Sequence, residues 1–353
     1  MRALYFDGHG DTSALTVGER PRPVPGPGEV LVAVRAAALN HLDLFVLRGM
    51  PGIPIGLPHI GGADGAGTVA ATGEGVAGWR EGDEVVLNPG LWCGTCEFCS
   101  RGEESLCVRF GIVGEHADGT FAEYVKVPAS ALGRKPGHLA WPEAAAFGLT
   151  FLTAWRMLMT RARLMAGESV LIHGIGGGVA LAALAIAKRV GATVFVTSGS
   201  DDKLSRAREL GADRTINYTA GDVVREVRAE TAKRGVDVVV ETVGQATWMT
   251  SLRCAARGGR IVTCGATTGP SPSEELRLVF WNQLSILGST MGSRADWQAM
   301  VRAVEEWQLR PVVDTVLPLE RGREGYERMA GGGQFGKIVV DVSGDAPVGK
   351  RGA

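Results

Sequence analysis

Alternating apolar and polar positions dominate the chain up to about residue 125. An alternating run covers residues 28–35, and similar runs cover 82–87 and 121–127. A period of two predicts half-buried strands, because successive side chains of a strand point to opposite faces. Short strands separated by Gly and Pro turns are typical of a partly open barrel or a sandwich.

The pattern changes near residue 142, where Pro142 suits the first turn of a helix predicted over 143–159. Apolar strands then alternate with helices. The predicted strands are 169–173, 193–197, 214–217, 236–241, 259–265 and 285–288, and the predicted helices are 177–190, 201–210, 222–233 and 245–256. This alternation predicts βαβ units with right-handed crossovers, and therefore a doubly wound, Rossmann-type parallel sheet.

After about residue 290 the sequence predicts one helix, 296–307, and one strand, 336–342. These elements could close the parallel sheet or return to the first, β-rich domain, and the pattern alone does not decide between the two. Residues 346–353 are predicted to form a flexible tail.

Composition narrows the class of protein. The 353 residues include 45% hydrophobic and 21% charged residues, with a formal net charge of −1. The hydrophobic content excludes a disordered chain. The net charge near zero gives no long-range electrostatic attraction to nucleic acid or to a membrane. The apolar stretch 169–198 is interrupted by glycines and by charged residues, so a membrane span is not expected there. With no signal peptide apparent, we expect a cytoplasmic protein.

Four cysteines within fifteen residues form the strongest local signal: Cys93, Cys96, Cys99 and Cys107. Four thiolates suit tetrahedral zinc and close its coordination shell, which predicts one structural zinc ion per subunit. An iron–sulfur cluster and four unrelated thiols are the alternatives. Cys254 and Cys264 fall in a predicted helix and strand and are expected in the core.

A glycine-rich turn joins the first predicted strand of the alternating half to its first helix. It contains Gly174, Gly176, Gly177, Gly178 and Val179, the last of which replaces the third glycine of a G-x-G-x-x-G motif. Glycines at this place let backbone N–H groups approach a pyrophosphate at a helix N-terminus. We therefore predict dinucleotide binding, the alternative being a plain tight turn.

The end of the next strand bears on the choice between NADP(H) and NAD(H). An acidic residue there would bind a ribose 2′-hydroxyl, and none stands at the strand tip. Ser198, Ser200 and Lys203 could instead bind a 2′-phosphate, which favours NADP(H) over NAD(H). Asp201 and Asp202 weigh against this, although they also suit a helix N-terminus.

The order of these parts resembles the medium-chain dehydrogenase/reductase superfamily, which includes zinc alcohol dehydrogenases and quinone oxidoreductases. The segments that carry the resemblance are 27–32, 61–67, 93–107, 119–124, 173–179 and 335–339. It implies an α/β protein with a GroES-like β-rich catalytic domain (1–125 and 292–345), a Rossmann domain (126–291) and a cleft that binds nicotinamide. It also implies a homodimer or homotetramer built through the Rossmann sheet edge, around residues 285–290.

The same resemblance exposes a departure from the zinc-dependent members. Asn40, Ala63 and Leu149 stand where the ligands Cys, His and Cys of a catalytic zinc are expected. Ala and Leu cannot bind zinc and Asn is a poor ligand, so the catalytic zinc is predicted to be absent. A substitute site made of His59, Asp64 and His41 is the alternative.

Without zinc, hydride transfer to an already electron-poor carbon is the reaction that stays easy. The resemblance therefore implies NADPH-dependent reduction of a quinone or an α,β-unsaturated carbonyl, with a hydrogen-bond donor at the enolate oxygen. Asn40 is the predicted donor, His41 could donate a proton or touch the cofactor, and His116 could line the mouth of the site. Asp43 is a weaker candidate that more simply orients a turn, and both histidines could equally be hydrogen-bonded loop residues.

Two further functions stay open: an alcohol dehydrogenase or carbonyl reductase, and an NADPH-binding protein without turnover. By resemblance, the cofactor-binding residues also include Thr153, Thr242, Gly265 and Lys337. The substrate class is small molecules, and the aromatic residues Trp92, Phe280 and Trp281 suit either a planar apolar substrate or subunit packing.

Overall fold

The chain divides into two units. The structure, a computed structural model, describes residues 1–344, and the predicted tail at 346–353 lies outside them. Unit 1 combines Met1–Leu149 with the residues from Ser293 onward, and unit 2 is Thr150–Gly292. No helix within residues 1–344 combines the length and the apolar character that crossing a membrane requires.

Short strands make up most of the first segment of unit 1. They are β1 (Arg2–Phe6), β2 (Thr16–Glu19), β3 (Glu29–Ala38), β4 (His59–Ile60), β5 (Asp64–Thr72), β6 (Glu84–Leu87), β7 (Gly90–Leu91), β8 (Gly111–Ile112), β9 (Tyr124–Pro128) and β10 (Leu132–Arg134). The helices are α1 (His41–Arg48), α2 (Glu97–Ser100) and α3 (Trp141–Ala145). Single 3₁₀ turns cover Thr12–Ala14, Glu104–Leu106 and Ala129–Ala131.

Unit 2 is a six-stranded parallel sheet with helices between its strands. The strands are β11 (Ser169–Ile172), β12 (Thr193–Ser198), β13 (Arg214–Asn217), β14 (Val236–Glu241), β15 (Ala255–Thr263) and β16 (Ser285–Gly288). The helices are α4 (Gly148–Trp155), which starts just before the unit, then α5 (Gly178–Val190), α6 (Asp201–Glu209), α7 (Val223–Glu230), α8 (Trp248–Cys254) and α9 (Leu276–Trp281). The strand order β13-β12-β11-β14-β15-β16 is that of a doubly wound nucleotide-binding sheet.

The chain then returns to unit 1. Its second segment holds α10 (Arg294–Glu306), β17 (Val313–Pro318), α11 (Gly322–Ala330) and β18 (Lys337–Asp341), with a 3₁₀ turn at Leu319–Arg321. Strand β18 pairs antiparallel with β3, so the order in the main sheet of unit 1 is β10-β6-β5-β3-β18-β17. Of the two alternatives for this segment, it joins the first domain.

The predicted α/β class, a β-rich domain with a doubly wound parallel sheet, is confirmed. The first boundary differs from the sequence estimate. Residues 126–149 belong to unit 1 and not to the parallel sheet, because β9 pairs with β3 and β10 pairs with β6. The helix predicted over 143–159 is also interrupted: α3 and α4 are separate, and Arg156–Arg161 forms a π-helical turn.

Each unit has its own apolar core. In unit 1, inward-facing residues of β3, β5 and β9 pack around Phe6, Phe121 and Tyr326, which are buried. In unit 2, residues 170–172 of β11, 238–240 of β14 and 261–262 of β15 are consecutive buried apolar residues, as expected for a parallel sheet covered by helices.

Candidate functional site

The segment Cys93–Cys107, here called the cysteine lobe, gathers four sulfur atoms. The Sγ–Sγ distances are 3.5 Å for Cys93 and Cys107, 3.6 Å for Cys96 and Cys99, and 3.9 Å for Cys93 and Cys99. A zinc ion bound at 2.3 Å to four tetrahedral sulfurs sets them about 3.8 Å apart. The cysteine lobe therefore has the donors and the spacing of a closed, structural zinc site.

Backbone N–H groups favour the thiolate form in the cysteine lobe. Thr95 and Cys96 donate to the Cys93 sulfur, and these bonds lower the pKa of Cys93 to about 5. Burial and the neighbouring sulfurs raise the pKa of Cys99 to about 12. Four thiolates cannot coexist here without a cation, which is the condition that a bound zinc ion would satisfy. Cys254 and Cys264 lie in unit 2, where burial raises the pKa of each thiol to about 12.

Asn40, Asp64 and Lys337 form a second polar group, here called the lysine cluster. Asn40 follows β3, Asp64 begins β5 and Lys337 begins β18, and these three strands are neighbours in one sheet. The Lys337 ammonium donates to Asn40 Oδ1 at 2.6 Å and to Asp64 Oδ2 at 2.9 Å. Asn40 Nδ2 donates to the same Asp64 oxygen at 3.0 Å. Asp64 is 0% exposed and Lys337 4%, so the ion pair is buried.

The lysine cluster occupies the place at which the resemblance put a catalytic zinc, and its donors do not fit one. Ala63 is buried and has no ligand atom, and Leu149 contributes only its backbone N–H, which donates to Asp64 Oδ1 at 2.6 Å. Each side-chain oxygen of Asn40 and Asp64 already accepts a hydrogen bond. The charge of the carboxylate is balanced by an ammonium from the chain itself.

The substitute ligands do not come together either. His59 is buried, its Nε2 lies 3.0 Å from the Gly114 carbonyl, and its ring packs against Phe6. Asp64 is engaged in the lysine cluster, while His41 is exposed. Within residues 1–344, the cysteine lobe is the only grouping of three or more His, Cys, Asp or Glu side chains with ligand atoms within 4.8 Å.

Asp43 holds the start of α1. Its carboxyl oxygens accept from the backbone N–H of Asn40 at 2.7 Å and of Gly62 at 2.9 Å. Gly62 has φ +101°, which a glycine adopts without strain. Burial raises the pKa of Asp43 to about 7. These contacts give Asp43 the role of a turn residue.

The two histidine candidates differ in their surroundings. His41 is the first residue of α1, and more than a third of its surface is exposed; its imidazole has no hydrogen-bond partner among the described residues. Partial desolvation of the imidazole and the nearby Lys337 ammonium lower the pKa of His41, which favours the neutral imidazole. His116 Nδ1 instead accepts from the Ile112 N–H at 3.2 Å in the turn after β8. The contacts of His116 do not connect it with the lysine cluster.

The glycine-rich turn lies in unit 2 between β11 and α5. Gly174 and Gly176 have φ of +66° and +119°, values that favour glycine. The Gly174 N–H donates to Thr197 Oγ1 at 3.3 Å, so it is engaged inside the protein. The N–H groups of Gly176, Gly178 and Val179 have no acceptor among the described residues, and the last two lie in the first turn of α5. An anion could therefore bind at this helix N-terminus.

The end of β12 carries the three residues predicted for a 2′-phosphate. Ser198 Oγ accepts from the Ser200 N–H at 3.1 Å, and Ser200 Oγ accepts from the Lys203 N–H at 3.4 Å as the N-cap of α6. Each serine hydroxyl keeps its own proton for donation. Asp201 accepts from Asn217 Nδ2 at 2.7 Å, which supports its role at the helix start.

The remaining predicted cofactor residues fall in both units. Thr153 is buried in α4, where its hydroxyl donates to Met291 Sδ at 3.7 Å. Thr242 and Gly265 follow β14 and β15, and a methyl group built on Gly265 would lie 3.2 Å from the Thr242 carbonyl oxygen. Lys337, which the sequence assigned to the cofactor, instead has its ammonium buried against Asn40 and Asp64 in unit 1.

Asp64 is the site residue that sequence reasoning underestimated. The sequence suggests Asp64 only as a substitute zinc ligand, whereas in the structure it accepts from Asn40, Leu149 and Lys337. An acidic residue between Ala63 and Gly65 in an otherwise apolar run was the available signal. Buried carboxylates are rare unless they are paired, so an acidic residue in such a run predicts a cationic partner for it.

Comparison with known proteins gives matches over both units. The family described as "Alcohol dehydrogenase GroES-like domain" matches residues 26–137, and the family described as "Zinc-binding dehydrogenase" matches residues 178–306.

Individual relatives match nearly the whole chain. A zinc-type alcohol dehydrogenase-like protein of Schizosaccharomyces pombe is 34% identical over 326 residues, 90% of this chain and 91% of that protein. The acryloyl-coenzyme A reductase of Metallosphaera sedula is 34% identical over 344 residues, 96% of this chain and 99% of that protein. A crystal structure of an NAD-dependent alcohol dehydrogenase has a TM-score of 0.93 and 48% identity, covering 97% of this chain and 100% of that one.

Proposed function

Because this chain belongs to the zinc-binding dehydrogenases of the medium-chain dehydrogenase/reductase superfamily, and is an NAD(P)H-dependent oxidoreductase, we propose that it reduces a quinone or an α,β-unsaturated carbonyl without a catalytic metal ion. The lysine cluster carries this proposal. Each of its side-chain oxygens accepts at least one hydrogen bond from within unit 1, and Ala63 and Leu149 offer no ligand side chain. A substrate that needs no Lewis acid fits such a site best.

Unit 2 would hold the dinucleotide, whose nicotinamide supplies a hydride when it is bound. The free N–H groups of Gly176, Gly178 and Val179 would bind the pyrophosphate, with the N-terminus of α5 behind them. Glycine has no side chain, so the backbone N–H groups of the turn stay accessible to the pyrophosphate. Val179 in place of a third glycine does not obstruct this arrangement, since only its N–H is required.

In unit 1, His41 would be the group that stabilises the substrate oxygen. Hydride addition to the β-carbon moves an electron pair onto the carbonyl oxygen, and a proton from solvent completes the reduced bond. A neutral, exposed imidazole can donate its N–H to that oxygen as charge develops. Asn40, the donor expected from sequence, has its Nδ2 engaged by Asp64. Asn40 would therefore fix the start of α1 and not act directly.

NADP(H) is the proposed cofactor. The tip of β12 presents Ser198, Gly199 and Ser200 with no carboxylate, and both serine hydroxyls retain a proton for a 2′-phosphate oxygen. Asp201 is directed to Asn217. The name of the 48% identical structure weighs toward NAD for that protein, so the test must include both nucleotides.

A homodimer or homotetramer through the edge of the unit 2 sheet is proposed as the assembly. Strand β16 is the edge of the sheet, and next to it Leu276, Phe280, Trp281 and Ile286 are exposed by 40–68%. An edge strand flanked by apolar side chains is a surface that soluble proteins cover. Phe280 and Trp281 would thus serve subunit packing. Zinc binding by four reduced thiols suits a reducing compartment such as the cytoplasm.

Substrate screening with paired variants tests the function. NADPH and NADH oxidation would be followed with a quinone, an enone, an enoyl thioester and an aldehyde, and alcohol oxidation with both oxidised nucleotides. We expect turnover of the activated double bonds with NADPH, and a kcat/KM at least about tenfold lower for His41→Gln, within the range for one lost hydrogen-bond donor. His9→Gln, at an exposed histidine that packs against Gly49 at the opposite end of α1 from His41, is the matched control.

Two results would overturn the proposal. Activity confined to alcohols and aldehydes would favour the alternative function, an alcohol dehydrogenase or carbonyl reductase, as the names of several relatives suggest for those proteins. Dinucleotide binding with no turnover of any substrate would favour a binding protein.

A further inference from the structure

A chain of buried polar side chains runs beneath the glycine-rich turn of unit 2. Glu241 ends β14 and accepts from Ser251 Oγ at 2.6 Å. Ser251 Oγ lies 3.1 Å from His173 Nε2, and His173 Nδ1 lies 3.3 Å from Thr197 Oγ1. Thr197 Oγ1 in turn lies 3.3 Å from the N–H of Gly174. Glu241, Ser251, His173 and Thr197 are all at most 2% exposed.

The direction of each hydrogen bond follows from the ends of this chain. The carboxylate can only accept, so Ser251 donates its single proton to Glu241 and accepts from His173 Nε2–H. Burial lowers the pKa of His173, and a neutral imidazole with a proton on Nε2 must accept at Nδ1. Thr197 therefore donates its proton to His173, and its oxygen accepts the N–H of Gly174. Every proton in the chain is used once.

Both ends of the chain lie in loops that face the cofactor in the proposed function. Gly174 begins the glycine-rich turn. At the other end, Glu241 Oε1 accepts from the backbone N–H groups of Val243 at 2.8 Å and Gly244 at 2.9 Å, in the loop after β14. The two loops lie side by side, since a methyl group built on Gly174 would lie 3.8 Å from Val243 Cγ2.

An apolar side chain at position 173 would continue the apolar run of β11, so packing alone does not require a histidine there. Val170, Leu171 and Ile172 precede His173 and are fully buried. A buried polar network fixes one geometry only when every member is satisfied, as it is here.

We propose that His173 is a positioning residue of the cofactor site, which ties the glycine-rich turn to the loop after β14 and thereby sets the affinity for the dinucleotide. This inference rests on the proposed role of the turn in binding the pyrophosphate. His173 acts through Thr197 and Gly174 on the one side and through Ser251 and Glu241 on the other.

Two pairs of variants separate positioning from packing. Thr197→Val keeps the shape of threonine and removes the acceptor for the Gly174 N–H, whereas Thr197→Ser keeps the hydroxyl. His173→Gln places an amide N–H near the Nε2 position and loses the acceptor for Thr197, whereas His173→Asn places an oxygen near the Nδ1 position and loses the donor to Ser251.

The dissociation constants of NADPH and NADH would be measured by fluorescence titration of the full chain, together with kcat at saturating cofactor and the melting temperature. We expect the dissociation constant of the preferred nucleotide to rise about tenfold for Thr197→Val, His173→Gln and His173→Asn, since each breaks one link between the two loops, and about threefold or less for Thr197→Ser. At saturating cofactor, kcat should stay within about twofold, since the chain does not touch the substrate.

Equal losses of melting temperature in both His173 variants with unchanged dissociation constants would overturn the inference, because His173 would then serve packing alone. The same holds if Thr197→Val binds as tightly as Thr197→Ser. If the unmodified protein binds neither nucleotide, the proposed role of the turn fails, and the inference fails with it.

Discussion

The cysteine lobe and the lysine cluster both lie in unit 1, and each gathers groups that carry negative charge when they are ionised. These groups are the four thiols in the first and the Asp64 carboxyl in the second. In the cysteine lobe, the four Sγ atoms lie within 4.8 Å of one another. In the lysine cluster, the carboxylate of Asp64 lies 2.9 Å from the ammonium of Lys337.

The proposed function requires that this chain keep one metal site and lack the other, and the difference between the two groups supports both parts. Four thiolates need an external cation, and their spacing suits zinc. A carboxylate paired with an ammonium needs none, and its oxygens are occupied by N–H donors. A positive charge supplied by the chain is fixed and cannot bind substrate by exchanging a ligand, as a catalytic zinc can. The proposed function, reduction of substrates that are already activated, follows from this difference.

Removing one sulfur from the cysteine lobe should have the largest effect. We expect Cys107→Ser to lower the free energy of unfolding by about 4 kcal/mol or more, the range typical of losing a structural metal. Cys264→Ser, outside the lobe, is the control and should cost about 1 kcal/mol. Urea unfolding of both variants checks this. A loss in Cys107→Ser no larger than in the control would mean that no ion stabilises the lobe.

Breaking the lysine cluster should have the second largest effect on the free energy of unfolding. Lys337→Met leaves the carboxylate of Asp64 buried without a cation, which should cost about 3–5 kcal/mol. Adding Asp64→Asn removes the stranded charge, so the double variant should recover part of the loss in urea unfolding. If the double variant is less stable than Lys337→Met, the two side chains do not form the pair described here.

Substitution of Asp43 should change the free energy of unfolding by a smaller amount, and that amount should depend on pH. Asp43→Asn removes a hydrogen-bond acceptor from the start of α1 and should cost about 1–3 kcal/mol near pH 5. Because burial raises the pKa of Asp43 from 3.8 to about 7, its contribution is fully present below about pH 4 and is lost as the pH rises toward 7. The cost of the substitution should therefore be smaller at pH 8 than at pH 5.

Urea unfolding of the unmodified protein and Asp43→Asn at both pH values measures that difference. A cost that grows with pH would show that the carboxyl is stabilised in its ionised form.

Most of unit 2 could be predicted because its signals are local. Strands at Arg214–Asn217, Val236–Glu241 and Ser285–Gly288 have the predicted bounds. The interrupted helix after Pro142 could not be predicted, since its apolar pattern runs through the break at Ala146 and Phe147. The domain boundary could not be predicted either, because it depends on the pairing of β9 with β3, a contact between residues far apart in the sequence.

The same distinction applies to the site. The cysteine lobe is encoded by spacing within fifteen residues and was predictable. The contact of Lys337 with Asp64 joins residues 273 positions apart and depends on the register of β18, β3 and β5, which no local pattern reveals. The hydrogen-bond chain through His173 likewise depends on the neighbouring strands β11, β12 and β14.

Zinc content per chain tests the central claim most directly. Elemental analysis of the protein purified with excess zinc and then desalted should give one zinc ion per chain, falling to near zero in Cys107→Ser and unchanged in Asn40→Ala. Two zinc ions per chain, with one lost in Asn40→Ala, would contradict the account, because the lysine cluster would then bind a metal after all.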